Sequence, residues 1–289
     1  MRRSLAAASL AALLVIACGR VYVGGTPLVS PPASALVAWQ GFPADQHPRP
    51  IVWFENGLPV KGFTSNDGKI AALCNRLKPV IPLPNSVPSQ AIATWTDGTS
   101  VVYTGISVAD AFAAMSRSTA DTPSPDCASV PPLVITAAHL GTFDFYTDRG
   151  TAQMTAWLFA ASGANGEFGY PAVAPSAFWN GAMTTHSADS GAAISADGRT
   201  LTWSFAGAHD TPGPCGADYK GVVAESSTAV AIALQTYPHA APNEPVACDL
   251  VAEERSVTVT LVSPLGGRVV VDAEGNAATV CRTGHARSC

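Results

Sequence analysis

Ser256-Val-Thr-Val-Thr-Leu-Val262 decides the fold, because apolar and polar residues alternate in it without interruption. Successive side chains of a strand point to opposite faces, so this pattern predicts a strand with one buried face and one wet threonine face. Similar apolar runs, separated by turn residues such as Asp197-Gly198 and Thr147-Asp-Arg-Gly150, fill the second half of the chain. They predict further strands at 133–138, 142–146, 152–161, 192–196, 200–206, 221–225, 228–236, 268–272 and 277–281.

The first half of the chain is more mixed and includes two predicted short helices. One begins at Asn66 or Asp67 and runs to Lys78, and the other spans 107–116 with Ser107 as its N-cap. Asn56-Gly57 between two apolar runs predicts a hairpin over 51–62, and the proline-rich stretches 79–88 and 120–132 predict loops. The predicted fold class is therefore β-rich α+β, with mostly antiparallel strands, two short helices and disulfide braces.

The N-terminus has the features of a bacterial lipoprotein signal peptide. Arg2 and Arg3 precede an apolar run over 5–17, which ends in the lipobox Val15-Ile-Ala-Cys18. At ~1.5 Å per residue this run makes a helix of roughly 20 Å, too short for a ~30 Å hydrocarbon core. We expect cleavage after residue 17 and lipidation of Cys18, so that the membrane is a partner through the N-terminal lipid. The predicted location is the extracytoplasmic face of the cell membrane.

The composition and length of the chain after residue 17 are typical of a folded protein that follows a flexible tether. Residues 18–35 are rich in Gly, Pro, Ser and Val and predict a flexible tether. The remainder is long enough for an N-terminal α+β domain over 36–182 and a C-terminal β-rich domain over 183–289. A hydrophobic fraction of 47% supports a core, and a net charge of −5 gives no electrostatic footprint for nucleic acid.

Cysteine usage points to the same compartment. Apart from Cys18, six of the seven cysteines remain, an even number that can pair fully in an oxidising environment. Several connectivities are open, and the sequential one is our prediction: Cys74–Cys127, Cys215–Cys248 and Cys281–Cys289. A zinc site is the alternative, but no two cysteines have Cys-x-x-Cys spacing, so no metal or other cofactor is predicted.

Two short motifs resemble parts of trypsin-like serine proteases. Val134-Ile-Thr-Ala-Ala-His139 resembles the strand end that carries their histidine, and Ala188-Asp-Ser-Gly191 resembles their nucleophile loop. The interval from 139 to 190 is about half of the roughly 100 residues that such a fold builds between them. Ala188 and Ala192 also replace glycines that shape the oxyanion hole. A serine hydrolase using Ser190 and His139 is therefore the alternative, and a non-catalytic binding or scaffolding module is the favoured function.

A ligand site for such a module is suggested by aromatic residues in Gly/Pro-rich sequence. Phe168, Tyr170, Phe178 and Trp179 would line a groove for an envelope protein, a glycan or a lipid, with packing in the core as the alternative. The remaining histidines lack metal-binding spacings and are predicted to be solvated loop residues: His47, His186, His209, His239 and His285.

An ordered set of motifs in the last half of the chain carries a family resemblance. They are Leu140-Gly-Thr142, Thr147-Asp-Arg-Gly150, Ala156-Trp-Leu-Phe159, Cys215-Gly-Ala-Asp-Tyr219, Ala247-Cys248 and Pro264-Leu-Gly-Gly-Arg268. Together with the lipobox, they resemble uncharacterised secreted lipoproteins of actinobacteria. The resemblance implies an envelope location and a Cys215–Cys248 bond, and it supplies no catalytic residues.

Overall fold

The computed structural model describes residues 31–54, 62–117, 125–181, 184, 186–240, 247–249 and 251–282. The predicted signal peptide, Cys18, most of the predicted tether, the Asn56-Gly57 turn and Cys289 lie outside these residues. The described part is β-rich, with 46% strand and 14% helix, which confirms the predicted fold class. Its strands form two mixed, mostly antiparallel sheets.

The first sheet is built around one long hairpin. Its strands are β1 (Leu77–Pro79), β2 (Ala91–Trp95), β3 (Ser100–Tyr103), β4 (Leu133–Thr147), β5 (Gly150–Ala161) and β6 (Glu167–Pro171). The order is β1-β4-β5-β2-β3, and β6 also pairs with β5. Two strands were predicted at 133–138 and 142–146, but β4 is continuous because β5 pairs with it through Gly141. The predicted turn Thr147-Asp-Arg-Gly150 joins β4 to β5.

The second sheet curls so that its two edges meet. Its strands are β7 (His186–Ile194), β8 (Thr200–Gly207), β9 (Ala217–Glu225), β10 (Ala229–Pro238), β11 (Glu253–Thr260), β12 (Val269–Val271) and β13 (Ala277–Cys281), in the order β11-β8-β7-β13-β12-β10-β9. Gly221 on β9 permits the closure, because a Cβ there would lie 2.5 Å from Val259 Cγ1 on β11. Val257 and Val259 are buried inside the curl, as the alternating pattern predicted.

Helices are few and short in the described residues. They are the α-helices α1 (Asn66–Leu73), α2 (Val108–Met115) and α3 (Pro125–Ser129) and the 3₁₀ helices Ala33–Trp39, Pro175–Ala177 and Trp179–Gly181. Ser107 caps α2 as predicted, and Ser65 rather than Asn66 or Asp67 caps α1. The predicted extension of α1 to Lys78 is wrong. Asn75 at φ 50° ends the helix, and Leu77–Pro79 instead pairs with β4.

The N-terminal segment packs on the second sheet. Trp39, Phe42 and Phe54 are buried against Ala231 and Val271. Within the described residues, the first regular element begins at Ala33, inside the predicted tether, because the apolar side chains that follow have a sheet face to cover. The change of sheet between β6 and β7 lies near the predicted boundary at 182/183, yet this first segment belongs to the core of the second sheet. The division into two domains stays a prediction.

Two disulfide bonds brace the described residues. Cys74–Cys127 ties the end of α1 to α3, and Cys215–Cys248 ties the segment before β9 to the segment before β11, both as predicted. The third predicted bond includes Cys289, outside the described residues. Disulfides of this kind indicate an oxidising, extracytoplasmic environment. In the described part of the chain, the helices are not long and apolar enough to cross a membrane.

Candidate functional site

Residues 44–50 separate two cavities on the surface. The larger, of about 530 Å³, is lined by Asp45, by 225–227 at the β9–β10 turn and by the loop 262–268 after β11. We call it the 262–268 groove. The smaller, of about 220 Å³, is lined by Tyr103 and by Gln46, Pro48, Pro50, Val102, Thr104, Ala174, Ser176 and Ala177. We call it the Tyr103 cavity.

Arg268 builds the rim of the 262–268 groove with all three of its guanidinium nitrogens. Nε donates to the Leu265 carbonyl at 3.2 Å, and Nη1 donates to Glu225 Oε2 at 2.8 Å and to the Ser226 carbonyl at 3.2 Å. Nη2 donates to the carbonyls of Ser263, at 2.7 Å, and Pro264, at 3.1 Å. With its side chain only 9% exposed, Arg268 fixes the loop to the β9–β10 turn.

Glu225 completes this frame from the other side. Its Oε1 accepts a hydrogen bond from the Val262 N–H at 2.7 Å. Burial alone would raise the pKa of Glu225, but the Val262 N–H and the Arg268 guanidinium outweigh it and hold that pKa below its ordinary value. The carboxylate therefore stays ionised, and the groove is pre-shaped before any ligand arrives.

The groove combines polar groups with an apolar surface. Arg268 and Glu225 neutralise one another, which leaves the exposed Asp45 carboxylate as the net charge of the lining. Ser227 and Ser263 add exposed hydroxyls, and the Val262 side chain is 83% exposed. Gly267 lets the loop lie directly on residues 44–50, because a Cβ there would meet the Ala44 carbonyl oxygen at 2.0 Å.

A buried ion pair joins the two sheets beneath this groove. Arg49 and Asp148 have side chains 9% and 3% exposed and are linked through Nη2 and Oδ2. Arg49 Nε also donates to the Gly267 carbonyl at 2.6 Å, and the Asp148 carbonyl accepts from the Val280 N–H at 2.9 Å. The turn between β4 and β5 is thereby tied to the N-terminal segment, to the loop 262–268 and to β13.

Arg149, next in the chain, has no comparable partner. Its guanidinium lies over the Trp95 ring, 3.7 Å from the centroid. Nε and Nη2 are sealed from solvent and make no hydrogen bond of good geometry. The Tyr103 hydroxyl, which is also buried without such a bond, interacts with this guanidinium. Burial lowers the pKa of Arg149, and Asp148 and then Tyr103 oppose that shift. Burial raises the pKa of Tyr103, and Arg149 opposes that shift.

Two histidines bridge acceptors at the end of the second sheet near Cys215–Cys248. His209 meets Glu253 Oε1 through Nδ1 at 2.7 Å and Asp249 Oδ1 through Nε2 at 2.9 Å. His239 meets the Thr211 carbonyl at 2.8 Å and Asp218 Oδ2 at 3.2 Å. Both histidines lie in loops, as predicted, and their side chains are 22% exposed. Their rings are nevertheless paired, because the loops return to residues distant in sequence.

These contacts favour the protonated imidazoles, in which both ring nitrogens donate. Glu253 and then Asp249 raise the pKa of His209, and the Thr211 carbonyl and then Asp218 raise the pKa of His239. Across the described residues, no group of three or more His, Cys, Asp and Glu side chains is placed to hold a metal ion.

The residues of the hydrolase alternative lie in different sheets. His139 is on β4, with Nδ1 3.5 Å from Glu167 Oε1, whereas Ser190 is on β7. Its neighbour Gly191 pairs with Thr279, whose hydroxyl donates to the Thr147 carbonyl. Thr147 lies eight residues beyond His139 on the same strand, roughly 25 Å away at ~3.3 Å per residue. The structure thus does not bring the two backbone positions together.

The four aromatic residues predicted to line a ligand groove pack against hydrophobic clusters, with Phe178 buried and the other three half-buried. Phe178 is 6% exposed, and Phe178 and Tyr170 both pack on Trp53, with ring centroids 5.2 and 5.5 Å away. Trp179 faces the second sheet with Trp39 and Phe42, and Phe168 packs near Phe63. They therefore do not share one groove. Phe178 and Trp179 are neighbours in the chain but pack in different hydrophobic clusters.

The sequence contained a signal for the sites that these predictions missed. Pro264-Leu-Gly-Gly-Arg268 is a motif of the family resemblance, and Thr147-Asp-Arg-Gly150 is both such a motif and a predicted turn. The first supplies the groove loop, and the second supplies Asp148 and Arg149. Comparisons of the chain with protein-family models, with curated proteins and with solved structures found no match. The resemblance to secreted actinobacterial lipoproteins therefore stays a prediction.

Proposed function

We propose that this protein is a lipid-anchored, extracytoplasmic cell-envelope protein that binds a saccharide of the envelope in the 262–268 groove. The observation that carries this proposal is the rim of the groove. One arginine with all its donors engaged holds a polar loop rigidly around a space of about 530 Å³. That volume lies within the ~300–1,000 Å³ typical of ligand sites, and a rim fixed in advance loses little entropy on binding.

The lining suits a ligand rich in hydroxyl groups. The Asp45 carboxylate and the hydroxyls of Ser227 and Ser263 can exchange hydrogen bonds with sugar hydroxyls. Val262 and Pro264 offer an apolar surface for the C–H face of a sugar ring. An acyl chain, by contrast, would desolvate the carboxylate and hydroxyls without satisfying them, which costs free energy. We therefore favour a glycan over a lipid or an envelope protein.

The predicted anchor and the disulfides support an extracytoplasmic place of work. The tether 18–35 would hold the folded part near the membrane, where envelope glycans are concentrated. The anchor is tested with Cys18→Ala, which we expect to release the protein into the medium or leave an uncleaved precursor. Mass spectrometry showing unchanged acylation and membrane retention of that variant would contradict it.

Ligand binding is tested by calorimetric titration of the mature protein with soluble oligosaccharide fragments of the cell wall. We expect saturable binding that Asp45→Asn and Ser263→Ala each weaken about tenfold, because each removes one hydrogen bond worth roughly 1–1.5 kcal/mol. Glu274→Gln, an exposed carboxylate outside the groove, is the matched control. Absence of saturable binding, or equal affinity in wild type and both variants, would overturn the proposal.

A further inference from the structure

We propose that Arg149 and Tyr103 form a second recognition site, which binds a small carboxylate through the Tyr103 cavity. This site is separate from the 262–268 groove and does not depend on the function proposed for it. It rests on hydrogen-bond donors that the fold positions and leaves unused.

The buried charges beneath the cavity are unbalanced by one, with the exposed Asp97 acting on Arg149 only from the surface. Arg49 and Arg149 flank a single buried carboxylate, Asp148, and Arg49 takes it in a direct ion pair. Arg149 therefore keeps a positive charge with no carboxylate hydrogen-bonded to it, while burial disfavours that charge. An unpaired buried cation is costly, and one bound monoanion would complete the set.

The two unused nitrogens of Arg149 are the ones that a carboxylate needs. Nε–H and one N–H of Nη2 point from the same edge of the guanidinium plane, the edge that forms paired bonds with a carboxylate. Stacking on Trp95, at 3.7 Å from the ring centroid, fixes the orientation of that plane. The Tyr103 hydroxyl, which also interacts with Arg149, provides a third donor.

Tyr103 connects these donors with the outside. It lines the cavity of about 220 Å³, while its hydroxyl is buried beside Arg149. Since the donor atoms are sealed from solvent, a ligand reaches them only if the Tyr103 side chain moves away from Arg149. Thr104, Ser176 and Gln46 give the entrance polar walls. The small volume selects short molecules, and the single excess positive charge selects a carboxylate over a phosphate dianion.

Thermal unfolding of the full mature protein tests this site, with acetate and propionate as probes against chloride at constant ionic strength. We expect a saturable rise in Tm of about 2–4 °C at several times Kd. Arg149→Gln should abolish the rise, and Arg149→Lys should reduce it, because lysine keeps the charge but loses the paired donors. Tyr103→Phe should weaken binding, and Arg117→Gln, an exposed arginine, should leave it unchanged.

Three outcomes would overturn the assignment. They are no carboxylate-specific rise in the wild type, an equal rise in Arg149→Gln with native circular dichroism, and saturation by phosphate alone. Oligosaccharide titrations of the same variants separate this test from that of the groove. Arg149→Gln should match the wild type in these titrations, whatever the result for the groove variants Asp45→Asn and Ser263→Ala.

Discussion

Two regions of this molecule hold a guanidinium below the surface and use it in opposite ways. At the groove, Arg268 donates to four carbonyls and one carboxylate, so its whole bonding capacity goes into fixing a loop. At the Tyr103 cavity, Arg149 stacks on Trp95 and keeps the Nε–Nη2 edge without an acceptor. Burial alone does not reveal the role of a buried arginine. An arginine whose donors are all hydrogen-bonded within the protein acts as a structural support. An arginine with unbonded donors can still bind a ligand.

The largest expected difference is in the free energy of unfolding, between replacing Arg49, which is in an ion pair, and replacing Arg149, which is not. Arg49→Met leaves Asp148 buried at 3% exposure without the cation bonded to it, so we expect a loss of about 3–5 kcal/mol in the free energy of unfolding. Arg149→Met removes a charge that has no ion-pair partner. We therefore expect it to lower the free energy of unfolding by less than ~1 kcal/mol, or to raise it. Urea unfolding measures both. A loss in Arg149→Met as large as that in Arg49→Met would erase the distinction between the two arginines.

We expect the next largest loss of stability for Arg268→Met, which tests whether Arg268 fixes the loop 262–268. Glu225 keeps some access to water, so we expect a loss of about 2–3 kcal/mol, together with loss of saccharide binding. Arg268→Lys is the matched variant, because it retains the charge but reaches fewer of the five acceptors. Urea unfolding and calorimetric titration measure the two effects. Wild-type saccharide affinity in Arg268→Met would show that the loop needs no such frame.

His209 and His239 extend the comparison to groups whose charge changes with pH. Their pKa values are raised above the ordinary 6.5, so their stabilising contribution is fully present below pH 6.5 and is lost as pH rises through the folded-state values. Asp249 and Glu253 have lowered pKa values, so their contribution is lost on further acidification. We therefore expect Tm to be highest between these ranges and to fall from about pH 6.5 upward.

Variants of His209 and Glu253 test whether this pH dependence comes from the histidines, and their effects on Tm should be smaller. His209→Gln should flatten the alkaline fall of Tm, and Glu253→Gln should lower the pKa of His209 in a proton NMR titration, because it removes the first of its two carboxylate partners. An unchanged alkaline fall in the double variant of His209 and His239, or a His209 pKa at or below 6.5 in the wild type, would remove these histidines from the account.

Local patterns predicted the elements of this fold well where neighbours in sequence decide them. The alternation in Ser256–Val262, the Asp197-Gly198 turn and the Ser107 cap are all local, and each is present in the structure. The end of α1 was missed because a single left-handed residue, Asn75, overrides an otherwise helical run. The continuity of β4 was missed because it depends on the partner strand.

The sites were harder to predict because their chemistry depends on distant residues. Whether Arg149 is paired depends on Arg49, Trp95 and Tyr103, and no sequence spacing encodes that some of its donors remain unused. Conversely, the four aromatic residues in 168–179 are predicted to line one groove, but they pack against Trp53, Trp39 and Phe63 in separate clusters. The lipobox and the even number of remaining cysteines predict an extracytoplasmic location from sequence alone. Whether an aromatic residue lines a groove or packs in the core depends on tertiary contacts.

Methyl NMR of the mature protein, with valines labelled, tests the central claim most directly. Adding cell-wall oligosaccharide should shift the methyl signals of Val262 saturably, because this side chain is 83% exposed on the groove rim, while those of buried Val270 stay in place. Shifts confined to valines elsewhere on the surface, or no saturable shift at any concentration reached, would contradict saccharide binding in the 262–268 groove.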